Sequence, residues 1–384
     1  MTIYPPVLYY HTVAPRRFDS WVLSELTLEV RYFEDQLAYL TDRGFRTILL
    51  DEWLRYRQGK AKVSGKGICI TFDDGYLDNW VYVLPLMKKY GMCFTLFVSP
   101  ECVDARNVVR RTLEDAWSGA CQESSLEALG YLSWRELELM HESGHVDIQS
   151  HTMSHTKYVA STWLDAFYYG GTRGLYPIWN RFPEQKPTYA SNPDFEKLLP
   201  WGTPLFEEHS SVIVRKHTIN PDFEKEVLSL ARTRDLRREP QRPPFEIAAT
   251  GIYESYQSTG RLLESVESTE ERQARLQYEV VDSKRILESR LGKSVDFLCW
   301  PHGDNTLEAH RLALKEGYKA TTAGKMIGET GRPDRIPRIG ADWRGQLWMN
   351  RRKLHYKIAS NLRKQPYYSL WLLNEYKNKL LERS

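Results

Sequence analysis

Several features that define common protein classes are scarce or missing in this sequence. Its 384 residues include only five cysteines, an odd number without a CxxC pair. Neither a disulfide framework nor a cysteine zinc site is therefore indicated, and reduced thiols in a cytoplasmic protein fit best. No run of about eighteen apolar residues occurs, so we expect no membrane-spanning helix. The first residues show neither a basic segment nor a long apolar one, so we do not expect a signal peptide.

An excess of charge of one sign is also lacking. The 53 basic and 50 acidic residues leave a net charge of +3, which is too balanced to indicate a nucleic-acid partner. The exception is the C-terminal stretch 344–384, where arginine and lysine lie among tryptophan and tyrosine. We interpret it as a solvated helical extension, and a peripheral contact with an anionic membrane is the alternative. The oligomeric state is not indicated.

Short apolar segments alternate with amphipathic ones along much of the chain. Apolar segments near residues 7–11, 67–72, 93–98, 146–149 and 295–300 read as buried strands, and helical periodicity follows most of them. This alternation predicts an α/β fold with parallel strands. Between 158 and 269 the periodicity is poor and prolines are frequent. We interpret that stretch as an insertion that covers the site and selects the substrate.

Two adjacent carboxylates, Asp73 and Asp74, follow the apolar segment ICITF. Successive side chains at the end of a strand point in different directions, so the two acids can do different jobs in one site. One can bind a metal ion while the other accepts a proton. An Asp-Asp-Gly surface turn is the alternative, although a surface hairpin rarely follows a buried strand directly.

Two histidines, His151 and His155, lie four residues apart in SHTMSH. On a helical turn capped by Ser150, this spacing would place both imidazoles on one face. With Asp74 they would form a set of two histidines and one carboxylate, which leaves positions for water and substrate. We expect one divalent ion, zinc in the first place, with cobalt, nickel or manganese as alternatives. Surface histidines without a ligand role are the other interpretation.

The two motifs together are much more specific than either one. TFDDGY at 71–76 and SHTMSH at 150–155 resemble the motifs of the polysaccharide deacetylase family, the NodB-homology carbohydrate esterases. LCWPHGDN at 298–305 resembles the later motif of that family. The resemblance implies a distorted (β/α) barrel with one metal ion, formed here by residues 1–157 and 270–343. The insertion 158–269 and the extension 344–384 lie outside the barrel.

Roles in the family can be carried over by position. The resemblance makes Asp73 the general base and makes Asp74, His151 and His155 the metal ligands. A backbone N–H near Tyr76, in the turn after the two acids, would help to hold the oxyanion.

The remaining predicted site residues come from the two ends of the motif order. The segment VLYYHTV at 7–13 resembles the N-terminal YHxV element of the poly-N-acetylglucosamine deacetylase branch, in which the late motif is permuted to the start of the chain. In that branch the histidine is the acid, so His11 is our candidate. A histidine that merely ends a buried strand is the alternative. We expect Trp300, Pro301 and His302 to line the substrate pocket, and a packing role alone is the alternative for His302.

One position departs from the family pattern. Cys299 stands where other members carry an arginine paired with the base. The partner of the base must then come from elsewhere, and Arg338 in RIPRIG is the candidate. Asp342 is the candidate for orienting the acid. A purely structural role is the alternative for both residues.

These observations lead to one main hypothesis and two alternatives. We expect a metal-dependent hydrolase that removes N-acetyl groups from a sugar in a glycan, or in a lipid- or nucleotide-linked glycan precursor. We expect it in the cytoplasm, with a membrane-peripheral location as the alternative. An amide or cyclic imide hydrolase on the same barrel is the second hypothesis, which the intact DDG disfavours. A non-catalytic carbohydrate-binding protein is the third, and loss of a metal ligand, which is not seen, would mark it.

Overall fold

The computed structural model describes residues 4–18, 24–62, 65–326, 331–341 and 346–381. The strands are β1 (Val7–Tyr10), β2 (Thr12–Ala14), β3 (Thr27–Glu29), β4 (Phe45–Thr47), β5 (Lys66–Phe72), β6 (Phe94–Val98), β7 (Val146–Ser150), β8 (Lys157–Phe167), β9 (Pro204–Ser210), β10 (His217–Ile219), β11 (Leu263–Val266), β12 (Phe297–Leu298), β13 (Ala320–Thr322), β14 (Arg335–Ile336) and β15 (Ile339–Gly340). The helices are α1 (Val30–Asp42), α2 (Leu50–Arg57), α3 (Leu84–Lys89), α4 (Leu113–Trp117), α5 (Trp134–Glu142), α6 (Leu175–Arg181), α7 (Pro221–Arg232), α8 (Arg242–Ser258), α9 (Thr269–Gln277), α10 (Ser283–Leu291), α11 (Leu307–Lys315), α12 (Leu347–Asn361) and α13 (Tyr367–Leu381).

The main sheet has nine strands, and every strand pair in it is parallel. Eight strands follow one another in the order β14, β13, β12, β7, β6, β5, β1, β15, and β4 pairs with β5. Within the described residues this path has two ends, so the curved sheet forms an incomplete barrel. The predicted α/β class with parallel strands is confirmed.

The central strands β5 and β6 are apolar along almost their whole length because both of their faces are covered. All five residues of β6 are buried, as are the last six of β5. Buried parallel strands have this near-continuous apolar sequence. On one side α1 packs Phe33, Leu37 and Leu40 into the core. The polar residues of the sequence motifs come directly after the strands, at the carboxyl edge of the sheet, where parallel α/β folds place their sites.

Some local patterns predict more regular elements than the structure has. The periodicity of residues 270–291 predicts one long helix, but the structure has two, α9 and α10, joined by a π-helical turn at Tyr278–Asp282. Asp51 is a candidate cap for a helix that begins near Trp53, but α2 already begins at Leu50 and its cap is Leu49. The extended sequence over 336–339 predicts one strand, whereas β14 and β15 are two strands that pair with different neighbours.

The stretch 158–269 is folded despite its poor sequence periodicity. β8 and β9 pair in antiparallel fashion, and so do β10 and β11. α7 and α8 bury Phe223 and Phe245 against Phe167 and Phe206, which lie on the β8–β9 pair. A second, smaller core therefore stabilises this part of the chain.

Two helices, α12 and α13, follow the last strand of the sheet. Among the described residues, no helix combines the length and the apolar character that crossing a bilayer requires.

Candidate active site

A pocket of about 530 Å³ opens at the carboxyl edge of the main sheet. Its walls include the ends of β1, β5, β7 and β12, Arg338 just before β15, and α6 in the stretch 158–269. The residues that line it include Tyr9, His11, Asp73, Asp74, Tyr76, His151, His155, Tyr176, Trp179, Trp300, His302 and Arg338. Side chains from distant parts of the sequence therefore meet in one cavity.

The predicted metal-ligand set is assembled in this pocket. Oδ1 of Asp74 lies 3.1 Å from Nε2 of His151 and 3.1 Å from Nε2 of His155. Two ligand atoms about 2 Å from one tetrahedral ion are about 3.3 Å apart, so the spacing suits a shared divalent cation. Oδ1 of Asp74 is buried and has no hydrogen bond of acceptable geometry. A buried carboxylate oxygen without a hydrogen-bond partner is expensive, and a cation would satisfy it.

The loop that carries the two histidines is not the helical turn that the sequence predicted. Residues 151–156 have no helix, and Thr152 and His155 have φ values of 64° and 50°. Ser150 is the last residue of β7 and bonds Ser283 instead of capping a turn. The reason is the carboxylate of Glu279, which is fully buried and accepts the N–H groups of Met153 and Ser154 at 3.1 Å each.

The orientation of His151 is fixed by its second ring nitrogen. Nδ1 lies 2.9 Å from the carbonyl oxygen of Cys299 and donates to it, which leaves the Nε2 lone pair free to face Asp74. His155 packs edge-on against His302, with ring centroids 4.7 Å apart. The chain after β12 therefore supports both histidines.

The other carboxylate of the motif, Asp73, has a different partner. Arg338 holds it in a two-pronged ion pair, with Nη1–Oδ1 at 2.6 Å and Nη2–Oδ2 at 2.8 Å. Nη2 of Arg338 also lies 2.9 Å from Sγ of Cys299. Burial opposes the charged form of Asp73, but Arg338 reverses this effect and lowers the pKa of the carboxyl below its ordinary value. Asp73 is therefore ionised at neutral pH.

A second group of possible ligands, formed by Asp73, His151 and Cys299, lies beside the first. Both oxygens of Asp73 are bonded to Arg338, and the same guanidinium touches the thiol of Cys299. A cation there would face a fixed positive charge at hydrogen-bond distance. The set built on Asp74 is therefore the better metal site.

His11 lies between β1 and β2 and lines the pocket. Its Nδ1 is buried and has no hydrogen-bond partner. The main chain around it is tied to the turn after the two acids. Asn79 donates to the carbonyl oxygen of His11 at 3.1 Å, and the carboxylate of Asp78 accepts from Thr12 and from the N–H of Val13.

The four remaining predicted pocket residues are placed unequally. His302 faces the pocket at 3.2 Å from the hydroxyl of Tyr176, and burial lowers its pKa to about 2, so it is neutral. Tyr76 stacks on Tyr131 and lines the pocket. Trp300 reaches the pocket but is only 1 % exposed and donates its indole N–H to a threonine.

Pro301 is buried and is not among the residues that line the pocket, so its predicted role in lining is wrong. Its place at the start of a short 3₁₀ turn explains this, because it directs the chain while the next residue faces the cavity. Asp342 lies outside the described residues.

Sequence reasoning missed several residues of the site, among them Glu279, Tyr176 and Trp179. Glu279 supports the histidine loop from more than a hundred positions along the chain, and an acid in an amphipathic helix gives no signal of that. Tyr176 and Trp179 contribute to the pocket from α6, and aromatic residues in a proline-rich stretch were the only available sign.

A carboxylate and two histidines around one point, beside a separately paired carboxylate, form an arrangement typical of metal-dependent hydrolases.

Part of the chain matches a known protein family. Residues 60–167 match the family model of the polysaccharide deacetylases. The putative polysaccharide deacetylase YxkH of Bacillus subtilis is 27 % identical over 150 residues, which cover 39 % of this chain and 43 % of the relative. A poly-β-1,6-N-acetyl-D-glucosamine N-deacetylase of Staphylococcus epidermidis is 26 % identical over 122 residues, which cover 31 % and 35 %. The chain spans less than half the length of the curated relatives it matches.

Solved structures give a broader but more distant similarity. IcaB from Ammonifex degensii has a TM-score of 0.47 at 16 % identity and covers 88 % of this chain and 92 % of its own. The BpsB deacetylase domain from Bordetella bronchiseptica has the same TM-score and identity, with coverage of 88 % and 95 %.

Proposed function

We propose that this protein is a metal-dependent carbohydrate N-deacetylase, which hydrolyses the acetamide of an N-acetylated sugar to acetate and a free amine. The observation that carries the proposal is the division of labour between two adjacent acids. Asp74 faces two imidazole nitrogens, whereas Asp73 is ionised and held by Arg338. The family match supports the same reaction.

The proposed metal site consists of Asp74, His151 and His155. These three side chains would hold one divalent cation, for which zinc fits the ligand types and cobalt, nickel or manganese are alternatives. When bound, the cation supplies Lewis-acid polarisation of the acetamide carbonyl and acidifies a water.

Asp73 is the proposed general base. Hydrolysis needs a group that takes a proton from the attacking water, and Asp73 is ionised and lines the same pocket as the ligand set. Arg338 binds both of its oxygens and so fixes the direction in which the carboxylate can accept that proton. Arg338 acts through Asp73 and is a positioning residue.

His11 is the proposed general acid. The C–N bond breaks only when the departing nitrogen receives a proton, because an amide anion is a poor leaving group. His11 lines the pocket, and its Nδ1 has no hydrogen-bond partner in the protein. The imidazole would give its proton to the nitrogen and recover one from Asp73 after the product leaves.

The proposed substrate is an N-acetylated sugar unit of a larger molecule. Tyr176 brings aromatic surface into the pocket, which suits the C–H face of a pyranose, and the buried Trp179 packs edge-on against it. Staphylococcal relatives are named as deacetylases of poly-β-1,6-N-acetyl-D-glucosamine, which supports a GlcNAc-type unit. A glycan and a lipid- or nucleotide-linked precursor both contain such a unit. The stretch 158–269 would select between them.

Release of acetate from oligomers of β-1,6-linked N-acetylglucosamine by the zinc-loaded protein tests the proposal. Asp73→Asn should abolish acetate release while the protein keeps its metal, because the amide that replaces the carboxylate cannot accept the proton. Asp147→Asn is the matched control, since Asp147 is also ion-paired on a strand of the sheet but bonds Lys293 outside the pocket. Acetate release by Asp73→Asn at the rate of the control would overturn the assignment of the base.

A further inference from the structure

The two C-terminal helices differ sharply in how they contact the rest of the protein. α12 is docked on α1: Asn350 donates to the carbonyl oxygen of Tyr32 and accepts from Gln36, and Leu354 and Ile358 are buried in the core. α13 follows after a short turn and contacts mainly α12 through its first residue, Tyr367, whose ring lies 4.9 Å from that of His355.

Beyond that contact, α13 exposes apolar side chains to solvent. Leu370, Trp371, Leu372 and Leu373 are 48 %, 39 %, 46 % and 66 % exposed. Successive helical residues are about 100° apart, so these four point to all sides of the helix. Along residues 370–373, therefore, the described part of the chain leaves every side of α13 largely open to solvent. A contiguous exposed apolar patch usually marks an interaction surface.

The charge around this patch is strongly positive, although the whole chain has a net charge of only +3. Residues 346–381 contain eight lysines and arginines and one glutamate. Arg351 is paired with Asp35 and Asp42 of α1. Arg363 and Lys364 lie in the turn that leads directly into α13, and Lys377 follows the apolar residues in the same helix.

Charge complementarity selects the occupant of this patch. A second copy of the chain would bring a second basic surface to the first, which is unfavourable. An anionic bilayer offers both an apolar boundary region and negative headgroups. Tyr368 and Trp371, stacked with ring centroids 5.9 Å apart, are residue types that favour the headgroup level. The 15 residues of α13 span about 22 Å, which allows insertion into one interface but no crossing.

We propose that the start of α13 (Tyr368 and the apolar residues 370–373), together with Arg363 and Lys364 in the turn before it, docks the protein reversibly onto anionic lipid bilayers. Docking would bring the pocket to substrates at a membrane surface, such as lipid-linked glycans. The membrane contact itself does not depend on the proposed deacetylase activity.

Sedimentation with vesicles tests the proposal on the full chain. We expect binding to vesicles that mix phosphatidylcholine with phosphatidylglycerol and little binding to phosphatidylcholine alone. Arg363→Gln with Lys364→Gln should weaken binding about 30-fold, since each basic residue near the surface contributes about fivefold. Trp371→Ser, Leu372→Ser and Leu373→Ser together should weaken it by about tenfold or more. Salt should reduce binding by the wild type and have less effect on the charge variant.

The control is the pair Trp163→Ser and Ile247→Ser, two residues that are 68 % and 76 % exposed outside the C-terminal helices. These changes remove similar apolar surface and should leave vesicle binding unchanged. Equal binding by the α13 variants and the controls, or absence of binding to the anionic vesicles, overturns the proposal. So does a doubling of the molar mass by light scattering that the α13 serines abolish without any vesicle binding, because that assigns the patch to a second copy.

Discussion

Replacing Arg338 by methionine removes the guanidinium that holds the proposed base and keeps most of the side-chain volume. Asp73 is then left buried, with its side chain 5 % exposed, without the partner that bonds both of its oxygens. Removing one partner of a buried ion pair costs about 3–5 kcal/mol of folding free energy. Denaturant unfolding at pH 7 should therefore show Arg338→Met destabilised by roughly that amount.

The free energy of unfolding should depend on pH in opposite directions through Asp73 in the wild type and in Arg338→Met. In the wild type the folded-state pKa of Asp73 is lowered, so the contribution of the pair is present at neutral pH and is lost as pH falls through that pKa. In Arg338→Met, burial still disfavours the charged form of Asp73 but the guanidinium no longer offsets it. The folded-state pKa of Asp73 therefore rises above the unfolded value. Stability of Arg338→Met should then decrease as pH rises above about 4, and its activity should recover as pH increases.

Two further variants test whether the loss of stability arises from the ion pair between Arg338 and Asp73. In a background of Asp73→Asn, removal of Arg338 should cost much less, because no buried charge is left unpaired. Arg338→Lys should be intermediate, since an ammonium cannot bond both oxygens in a fixed fork. If Arg338→Met loses less than about 1 kcal/mol and its stability keeps the pH profile of the wild type, the ion pair does not set the state of Asp73.

Three other perturbations have distinct expected outcomes. His11→Ala should lower kcat by about 10²–10⁴ with little change in KM, measured by steady-state acetate release, and a near-normal kcat would return the acid role to another group. His155→Ala should leave dialysed protein without bound zinc by metal analysis while the wild type keeps about one ion per chain. Burial raises the pKa of Asp78 to about 7, so the folded state keeps a proton that the unfolded state releases near pH 4. The contribution of Asp78 to wild-type stability should thus fall between pH 4 and pH 7 by at most about 4 kcal/mol, so Asp78→Asn should lack that loss, and parallel profiles of the two proteins would contradict this.

The parts of the site that the sequence predicted are those carried by strand ends. Asp73 and Asp74 directly follow β5, and His151 directly follows β7. Only β6 lies between these two parallel strands, so their carboxyl ends meet at one edge of the sheet without knowledge of the loops. Arg338 was proposed as a partner of the base, and the structure shows the contact. Its role in catalysis stays a prediction, as do the roles of His11 and the ligand set.

Other parts depended on contacts that local sequence does not encode. The spacing of the histidines predicted a helical turn. Instead, the buried carboxylate of Glu279 accepts hydrogen bonds from a non-helical loop in which Thr152 and His155 have positive φ values. The stretch 158–269 looked irregular because its helices α7 and α8 pack on the β8–β9 pair rather than on the main sheet. Tertiary partners of this kind override local periodicity.

Metal titration of the stripped protein tests the central claim most directly. Chelator-treated protein should release no acetate from β-1,6-linked N-acetylglucosamine oligomers. Stepwise addition of zinc should restore release until about one equivalent is bound, because Asp74, His151 and His155 form one set of ligands. Full activity without metal, or no acetate with zinc, cobalt, nickel or manganese, would contradict the account.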